Sequence, residues 1–194
     1  MLTLIYMEAV ILAAGLSTRM GCNKLLLPFG KSTVLGTVIA KAEPFADRII
    51  VVTGHDRELV ESSIKCDKVL FVFNPNYKDG QKTSLLKGIV ETSDDFFVLP
   101  GDIPAINSED ISKTIEISNG ALAARCFYSN IPGHPVVFKK ENREKILSYP
   151  GPIRNYLEDI GCLKHLGSIG SVFDADTSIR YEALSSGDLD PSLL

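Results

Sequence analysis

The chain is poor in cysteine, and its Cys22, Cys66, Cys126 and Cys162 are scattered with no C-x-x-C pair. That argues against a zinc or redox motif and predicts free thiols in a reducing compartment. Positive charge is not in excess: the net charge is −4. Nucleic-acid partners are therefore not expected, because such surfaces ordinarily carry a basic surplus. No apolar run approaches the roughly 18 residues of a membrane span. Met1 to Tyr6 is apolar but lacks the basic flank and cleavage site of a signal peptide. No membrane partner and a cytoplasmic location are the expectations, with Met7 as an alternative start.

Two familiar phosphate loops are also missing. The Walker pattern needs four residues between its glycines and Lys-Ser or Lys-Thr directly after. Here five residues separate Gly15 from Gly21, and Lys24 comes three later. Gly30-Lys31-Ser32 does not rescue it, because position 25 is Leu25. The dinucleotide pattern G-x-G-x-x-G is absent. No His or Cys pairing suggests a nucleophile with its base.

What is present is a strand that breaks into a basic glycine loop. Ala9 to Ala14 is a short apolar run, read as a buried strand. It ends at Gly15, and Leu16 to Lys24 is rich in small residues, with Arg19 and Lys24 among them. Glycine lets backbone N–H groups approach an anion, and the two cations supply charge. Ala13 and Ala14 leave room for a flat group against the strand end. A plain tight turn is the other reading.

The 194 residues, 45% of them hydrophobic, suit one domain. It is expected to span 1–194, with a core over 8–184 and a frayed tail over 185–194. After the loop, apolar runs alternate with helical periodicity. Strands are predicted at Arg48–Thr53, Val69–Phe73 and Phe96–Leu99, and helices at Thr33–Ala42, about Leu59–Ile64, Lys82–Thr92 and from Ser108. This alternation predicts a mainly parallel sheet with helices on both faces. Ligands of such sheets lie at the carboxyl ends of the strands. That rule gathers Gly15 to Lys24, Gly54-His55-Asp56, Asn74 to Tyr77 and Gly101-Asp102 on one edge.

The second half is expected to add a small antiparallel part, with a strand at Ala121–Ala124 and a return strand at Pro135–Phe138. Short helices are expected at Lys140–Leu147 and Arg154–Asp159. Val172–Asp176 reads as a last strand, followed by a helix from Ser178 through Leu184.

Asp102, just past an apolar strand and braced by Pro100, Gly101 and Pro104, suits a hard divalent cation. An Asx turn is the plainer alternative. Asp174 and Asp176 share one face if the segment is a strand; at least one of them is expected to hold the metal with Asp102. Ser84 and Gly88 lie on one helical face. Gly88 within a helix costs about 1 kcal/mol against alanine, which close approach of a neighbour would explain. His134, between Gly133 and Pro135, is either a turn histidine or a site residue, and His55 stands similarly at a strand end. His165 reads as structural or exposed.

Together these segments resemble a known family. Leu12-Ala13-Ala14-Gly15-Leu16-Ser17-Thr18-Arg19-Met20-Gly21, with Lys24-Leu25-Leu26, resembles the signature loop of the sugar-phosphate and cofactor nucleotidyltransferases, a GT-A-like superfamily. Gly54-His55, Asn76-Tyr77 with Gly80, Ser84 and Gly88, Leu99 to Pro104, Gly133-His134-Pro135-Val136 and Asp174 to Thr177 narrow the resemblance. They are similar to the branch containing molybdenum cofactor cytidylyltransferase and related molybdopterin nucleotidyltransferases. The resemblance covers Glu8 to about Leu184.

The resemblance implies a Rossmann-like three-layer α/β/α nucleotidyltransferase fold. It implies transfer of a nucleotide, CTP favoured as donor, to a molybdopterin-type phosphate acceptor with loss of pyrophosphate. Mg²⁺ would sit on Asp102, with Asp176 as the second ligand. Gly15, Ser17 and Arg19 would contact phosphates, and Lys24 would stabilise charge at the α-phosphate. Leu12, Ala13, Ala14, Gly54, Gly80 and Ser84 complete the implied nucleotide site, and His134 and Arg154 fall on the acceptor side. A molybdoenzyme is an implied further partner. One departure stands out: where the family carries Gly-Asp-x-Gly-x-Arg, this chain has Tyr149-Pro150-Gly151-Pro152-Ile153-Arg154. Only Arg154 keeps its place, which leaves a sugar phosphate as an alternative acceptor. A non-catalytic carrier of molybdenum cofactor is the alternative of another class.

Overall fold

A computed structural model describes residues 7–194. The expectations for Met1 to Tyr6, and for which methionine begins the chain, lie outside the described residues. The first half runs β1 (Met7–Ala13), β2 (Pro28–Phe29), β3 (Ser32–Thr33), α1 (Val34–Ala42), β4 (Arg48–Thr53), α2 (Arg57–Ser62), β5 (Val69–Phe73), α3 (Gln81–Val90) and β6 (Asp95–Pro100). The second runs α4 (Ser108–Ser118), β7 (Ala123–Tyr128), β8 (Ile131–Phe138), α5 (Arg143–Ser148), α6 (Ile153–Asp159), β9 (Leu163–Leu166) and α7 (Ser178–Ser186).

Seven strands form one sheet in the order β5-β4-β1-β6-β8-β7-β9, and β2 pairs with β3 in a small separate hairpin. β1 lies between β4 and β6 and is parallel to both, with Ala13 beside Thr53 and Leu12 beside Pro100. β8 is antiparallel to β6 and β7, and β9 returns parallel to β7. The fold is the expected mainly parallel sheet with an antiparallel addition.

Strand alternation sends successive side chains to opposite faces. Ala9, Ile11 and Ala13 of β1 join Leu35, Val38 and Ile39 of α1, Val60 of α2 and Ile111 of α4. Val10 and Leu12 join Ile89 of α3, Ile146 of α5 and Tyr156 and Leu157 of α6 on the other face. The sheet is thus covered twice, which is why its central strands read as unbroken apolar runs. Gly88 lies where α3 crosses the sheet: a Cβ there would fall 2.5 Å from Val10 Cγ1 and 2.9 Å from Val52 Cγ2. The close approach explains the mid-helix glycine.

Two expectations for the C-terminal part are corrected. Val172 to Asp176 is not a strand. Phe173 and Ala175 alternate into a third apolar cluster with Val34 and Leu184, which imitates strand periodicity without a strand partner. The segment is tied by the Ala175 N–H, which donates to the Asp102 carbonyl at 2.9 Å. The last strand is instead β9, only four residues long and carrying Lys164 and His165. Nor is the tail from Ser185 frayed. Leu189, Leu193 and Leu194 pack on the third cluster, and Arg180 donates to the Leu193 and Leu194 carbonyls at 2.8 and 3.0 Å.

Candidate active site

β1 and β6 are where the chain's path through the sheet reverses. β4 and β5 are laid down on one side of β1, and β6 on the other. A crevice at such a switch point, beyond the carboxyl ends of the strands, is where open α/β sheets bind ligands. The loop after β1 folds over it. Ser17 takes a left-handed conformation at φ 51°, its carbonyl accepts from Met20 N–H at 3.1 Å, and its Oγ accepts from Lys24 N–H at 3.3 Å. Asn23 Oδ1 accepts from Leu25 N–H at 3.1 Å and starts the short turn that carries Lys24.

The loop encloses a cleft of about 230 Å³. Of the sequence-derived nucleotide residues, Leu12, Ala14, Gly15, Ser17, Lys24 and Ser84 line it, together with Asp102. A Cβ on Gly15 would meet nothing within 4 Å, so the protein's own packing does not demand glycine there. Ser84 Oγ accepts from Asn74 Nδ2 at 2.9 Å, which leaves its O–H free to donate into the cleft.

Arg19 does not line the cleft, and three further expected residues stand elsewhere. The Ala13 side chain belongs to the buried layer on the α1 face, as alternation along β1 requires. Gly54 lies behind the wall: a Cβ there would fall 2.7 Å from Tyr77 Cγ and 2.8 Å from Ala14 Cβ. Its place is to let Tyr77 seat against the cleft. Gly80, at φ 108°, shapes the entry to α3 and presents the next residue, Gln81, to the cleft. Tyr77, Gln81, Leu25 and Pro100 also line it, and of these Gln81 carries no charge and stands in no motif. Tyr77 sits in the Asn76-Tyr77 pair, the one signal that pointed to it.

Cations and carboxylates meet at the cleft's end. Lys24 Nζ donates to both Asp102 Oδ2 and Asp176 Oδ1, and Arg19 Nη1 donates to Asp176 Oδ2 at 2.7 Å. Asp174 lies alongside, accepting from Arg180 Nη1 at 2.7 Å and from Asp176 N–H at 3.2 Å. Burial pushes the Asp102 carboxyl up, Asp174 and Asp176 push the same way, and Lys24 opposes them. Asp176 is burdened by burial too, but Lys24, Arg19 and Arg180 hold it below the usual carboxylate range. Burial works against the Lys24 charge, and Asp102 with Asp176 outweighs it, so the ammonium is held above its ordinary pKa. One ammonium reaches both carboxylates, so their oxygens converge on a single cation-sized point. Two such oxygens beside a phosphate-sized cleft suit the oxygen shell of a small divalent cation.

The acceptor-side residues line adjoining space. His134 faces a cavity of about 290 Å³ with Arg154, Arg125, Lys82 and an apolar floor that includes Val136 and Phe138. It also borders an acidic cavity containing Asp102, Asp174 and Asp176. Gln81 lines all three spaces and stands at their junction. His134 Nδ1 is 3.3 Å from the Val98 carbonyl; with the ring neutral it donates there, leaving Nε2 as an acceptor. Burial, reinforced by Arg125, lowers the imidazole pKa to about 3. The altered segment is fastened by Lys82 Nζ, which donates to the Tyr149 and Gly151 carbonyls at 2.7 and 2.8 Å. Arg154 follows on the exposed start of α6.

A glycine loop, a cation and paired carboxylates at a switch point are what a nucleoside triphosphate site needs. Comparison with known proteins agrees, since residues 9–160 match the MobA-like NTP transferase domain. The chain belongs to that family. It is 35% identical over 136 residues to molybdenum cofactor cytidylyltransferase of Escherichia coli K12, covering 69% of this chain and 70% of that one. It is 34% identical over 121 residues to the bifunctional protein GlmU of Francisella philomiragia; the match covers 60% of this chain and only 27% of GlmU. A nucleotidyl transferase from Methanothermobacter thermautotroptrophicus superposes with a TM-score of 0.82 at 23% identity, covering 94% of this chain and 97% of the other. This MobA-like domain is a nucleotidyltransferase, as its motifs implied, and the non-catalytic carrier reading is set aside. Among the described residues no helix is long and apolar enough to cross a membrane.

Proposed function

We propose that this nucleotidyltransferase transfers CMP from CTP to the phosphate of a molybdopterin-type acceptor and releases pyrophosphate. The observation that carries the reading is the position of Lys24, which stands under the Gly15 loop and pairs with Asp102 and Asp176. The similarity to molybdenum cofactor cytidylyltransferase supports the choice of base and acceptor.

In this reading Gly15 and Ser17 hold the triphosphate with loop N–H and hydroxyl groups, and Arg19 closes over it from outside. Leu12, Ala14 and Tyr77 flank the base and ribose, and the Ser84 hydroxyl donates to them. The acceptor lies toward His134 and Arg154, beyond Gln81. An acceptor phosphate oxygen attacks the α-phosphorus, a new P–O bond forms, and the bond to the β-phosphate bridging oxygen breaks. Its electron pair leaves with pyrophosphate. The attacking oxygen is already ionised at neutral pH, so no strong base is required. Lys24 faces the α-phosphate and stabilises the charge that builds there. Asp102 and Asp176 would hold Mg²⁺, which when bound would neutralise phosphate charge in the transition state. Residues 1–194 are taken as one catalytic unit.

The test is pyrophosphate release from each of four nucleoside triphosphates with molybdopterin, with sugar phosphates in parallel, in the presence of Mg²⁺. CTP with molybdopterin is expected to give the highest kcat/KM. Turnover with a sugar phosphate alone would replace the acceptor and keep the chemistry.

A further inference from the structure

Beyond the His134 cavity, on the side away from the triphosphate cleft, lies a larger space of about 490 Å³. Arg125, Phe127, Arg154, Glu158, Cys162 and Lys164 line it, and it shares Arg125 and Arg154 with the His134 cavity. Arg125 and Lys164 are register partners on the parallel strands β7 and β9. Like charges directly side by side on neighbouring strands repel each other.

Among the described residues no ion pair relieves that repulsion: neither Arg125, Arg154 nor Lys164 forms one with a carboxylate. Arg125 is half-buried, and its Nε is spent on the Gly133 carbonyl at 2.9 Å. Burial pushes its guanidinium below the usual range, and the groups nearest to offsetting this are the thiols of Cys162 and Cys126. Glu158, the one carboxylate of the cavity, is exposed at its rim. A desolvated guanidinium ordinarily has a partner. Both strand cations lie over the Phe127 ring, with Arg125 Cζ 5.9 Å and Lys164 Nζ 5.1 Å from its centroid. The ring fixes both and offers an apolar surface, but supplies no net charge.

We propose that Arg125, Lys164 and Arg154 form a binding site for an oxyanion, with Phe127 as its floor. The guanidinium fork suits two oxygens of a tetrahedral anion, and the ammonium of Lys164 closes the opposite side. The anion is either a distal group of the acceptor, reaching through the His134 cavity, or a free inorganic anion. Its assignment to the acceptor rests on the function proposed above; the site itself does not.

Tungstate soaked into crystals of the full chain is the direct probe. Anomalous density is expected within hydrogen-bond reach of Arg125 and Lys164, and tungstate binding by calorimetry is expected to weaken at least tenfold in Lys164→Gln and Arg125→Gln. Arg125→Lys should retain part of it. Lys164 is exposed on β9, so its variant reports on the site even where Arg125→Gln fails to fold. Tungstate that occupies only the Lys24 loop, or binds both glutamine variants as well as the wild type, overturns the proposal. Inorganic phosphate as an inhibitor then separates the sources. Competition with the acceptor, with an acceptor KM raised at least tenfold in Lys164→Gln and the CTP KM unchanged, assigns the site to the acceptor. Inhibition or activation that does not compete assigns it to a free anion. Should no molybdopterin turnover occur, the proposed function fails, while the tungstate result still decides the site.

Discussion

Lys24 and Asp102 pair across the switch point of the sheet, Nζ donating to Oδ2 over 78 positions of sequence. Asp176 accepts from the same ammonium. Lys24→Met removes the one cation that reaches both carboxylates. Turnover is expected to fall more than tenfold, which is a loss of more than about 1.4 kcal/mol of transition-state stabilisation. Stability is expected to fall as well, by about 1–3 kcal/mol, because a partly buried carboxylate loses its partner. The deficit depends on pH. Without Lys24, burial and the neighbouring aspartates raise the folded-state pKa of Asp102 unopposed. A group with a raised folded pKa loses its contribution as pH rises through that value. The variant's deficit should therefore be larger at pH 8 than at pH 5, measured by urea unfolding. An equal deficit at both, with wild-type turnover, would remove Lys24 from the site.

The paired carboxylates make a separate prediction. Asp102→Asn keeps the size and weakens the charge, so the Mg²⁺ concentration giving half-maximal rate should rise and turnover should fall at least tenfold. Asp176→Asn should do the same more mildly, since an amide oxygen still ligates. In a nucleotide-bound structure one oxygen of each carboxylate should lie within about 4.2 Å of the other, twice the ~2.1 Å bond of one octahedral ion. A wider separation would end the shared-ion proposal.

Arg19 separates structure from function. Its side chain is 72% exposed, and its contact with Asp176 is an exposed ion pair. Such pairs contribute at most about 1 kcal/mol. Arg19→Ala should therefore leave the denaturant midpoint nearly unchanged while raising the KM for the triphosphate. A clear drop in midpoint with an unchanged KM would make Arg19 a structural residue.

Much of this was legible in the chain because buried parallel strands write themselves as apolar runs. β1, β4, β5 and β6 stand where Ala9–Ala14, Arg48–Thr53, Val69–Phe73 and Phe96–Leu99 pointed. Their ends carry the loop and Asp102 to one edge, so half the site followed from strand ends alone. What was not legible depended on tertiary contacts. β9 is four residues long and half polar, below the length at which alternation speaks. Val172–Asp176 alternates because Phe173 and Ala175 fill a cluster, not because it pairs with a strand. The Ala13 side chain turns, by one position of pleat, to the buried face. Gly54 packs directly against Tyr77 and Ala14, a placement that sequence spacing does not express. Gln81 is uncharged and stands in no motif, and only the cleft reveals it.

The packing at Gly54 is itself testable. Gly54→Ala places a Cβ 2.7 Å from Tyr77 Cγ and 2.8 Å from Ala14 Cβ, and both neighbours belong to the cleft wall. Overpacking of this kind costs about 1–3 kcal/mol. The variant should be destabilised to that extent and should show a higher KM for the triphosphate as Tyr77 is displaced. Tyr77→Gly in the same background, which removes both the Cγ and the Cβ that Gly54→Ala would meet at 2.7 and 2.8 Å, should restore part of the stability but not the KM. Failure of that rescue would place the strain elsewhere.

His134 gives the last prediction, in the acid range. Its ring is held neutral, with Nδ1–H donating to the Val98 carbonyl and a folded-state pKa near 3 against an ordinary 6.5. Between those values the unfolded chain binds a proton that the folded chain refuses. Stability must then fall as pH falls from about 6.5 toward 3, by at most ~1.4 kcal/mol per pH unit from this group. His134→Asn can keep a donor toward Val98 and removes the titration. The wild type's denaturant midpoint relative to the variant's should fall between pH 7.5 and pH 5, because only the wild type carries the histidine penalty into acid. Parallel profiles would mean that folding does not change the His134 pKa, so that the ring takes up a proton below about 6.5 in the folded and the unfolded chain alike, and its neutral state at acid pH would be withdrawn.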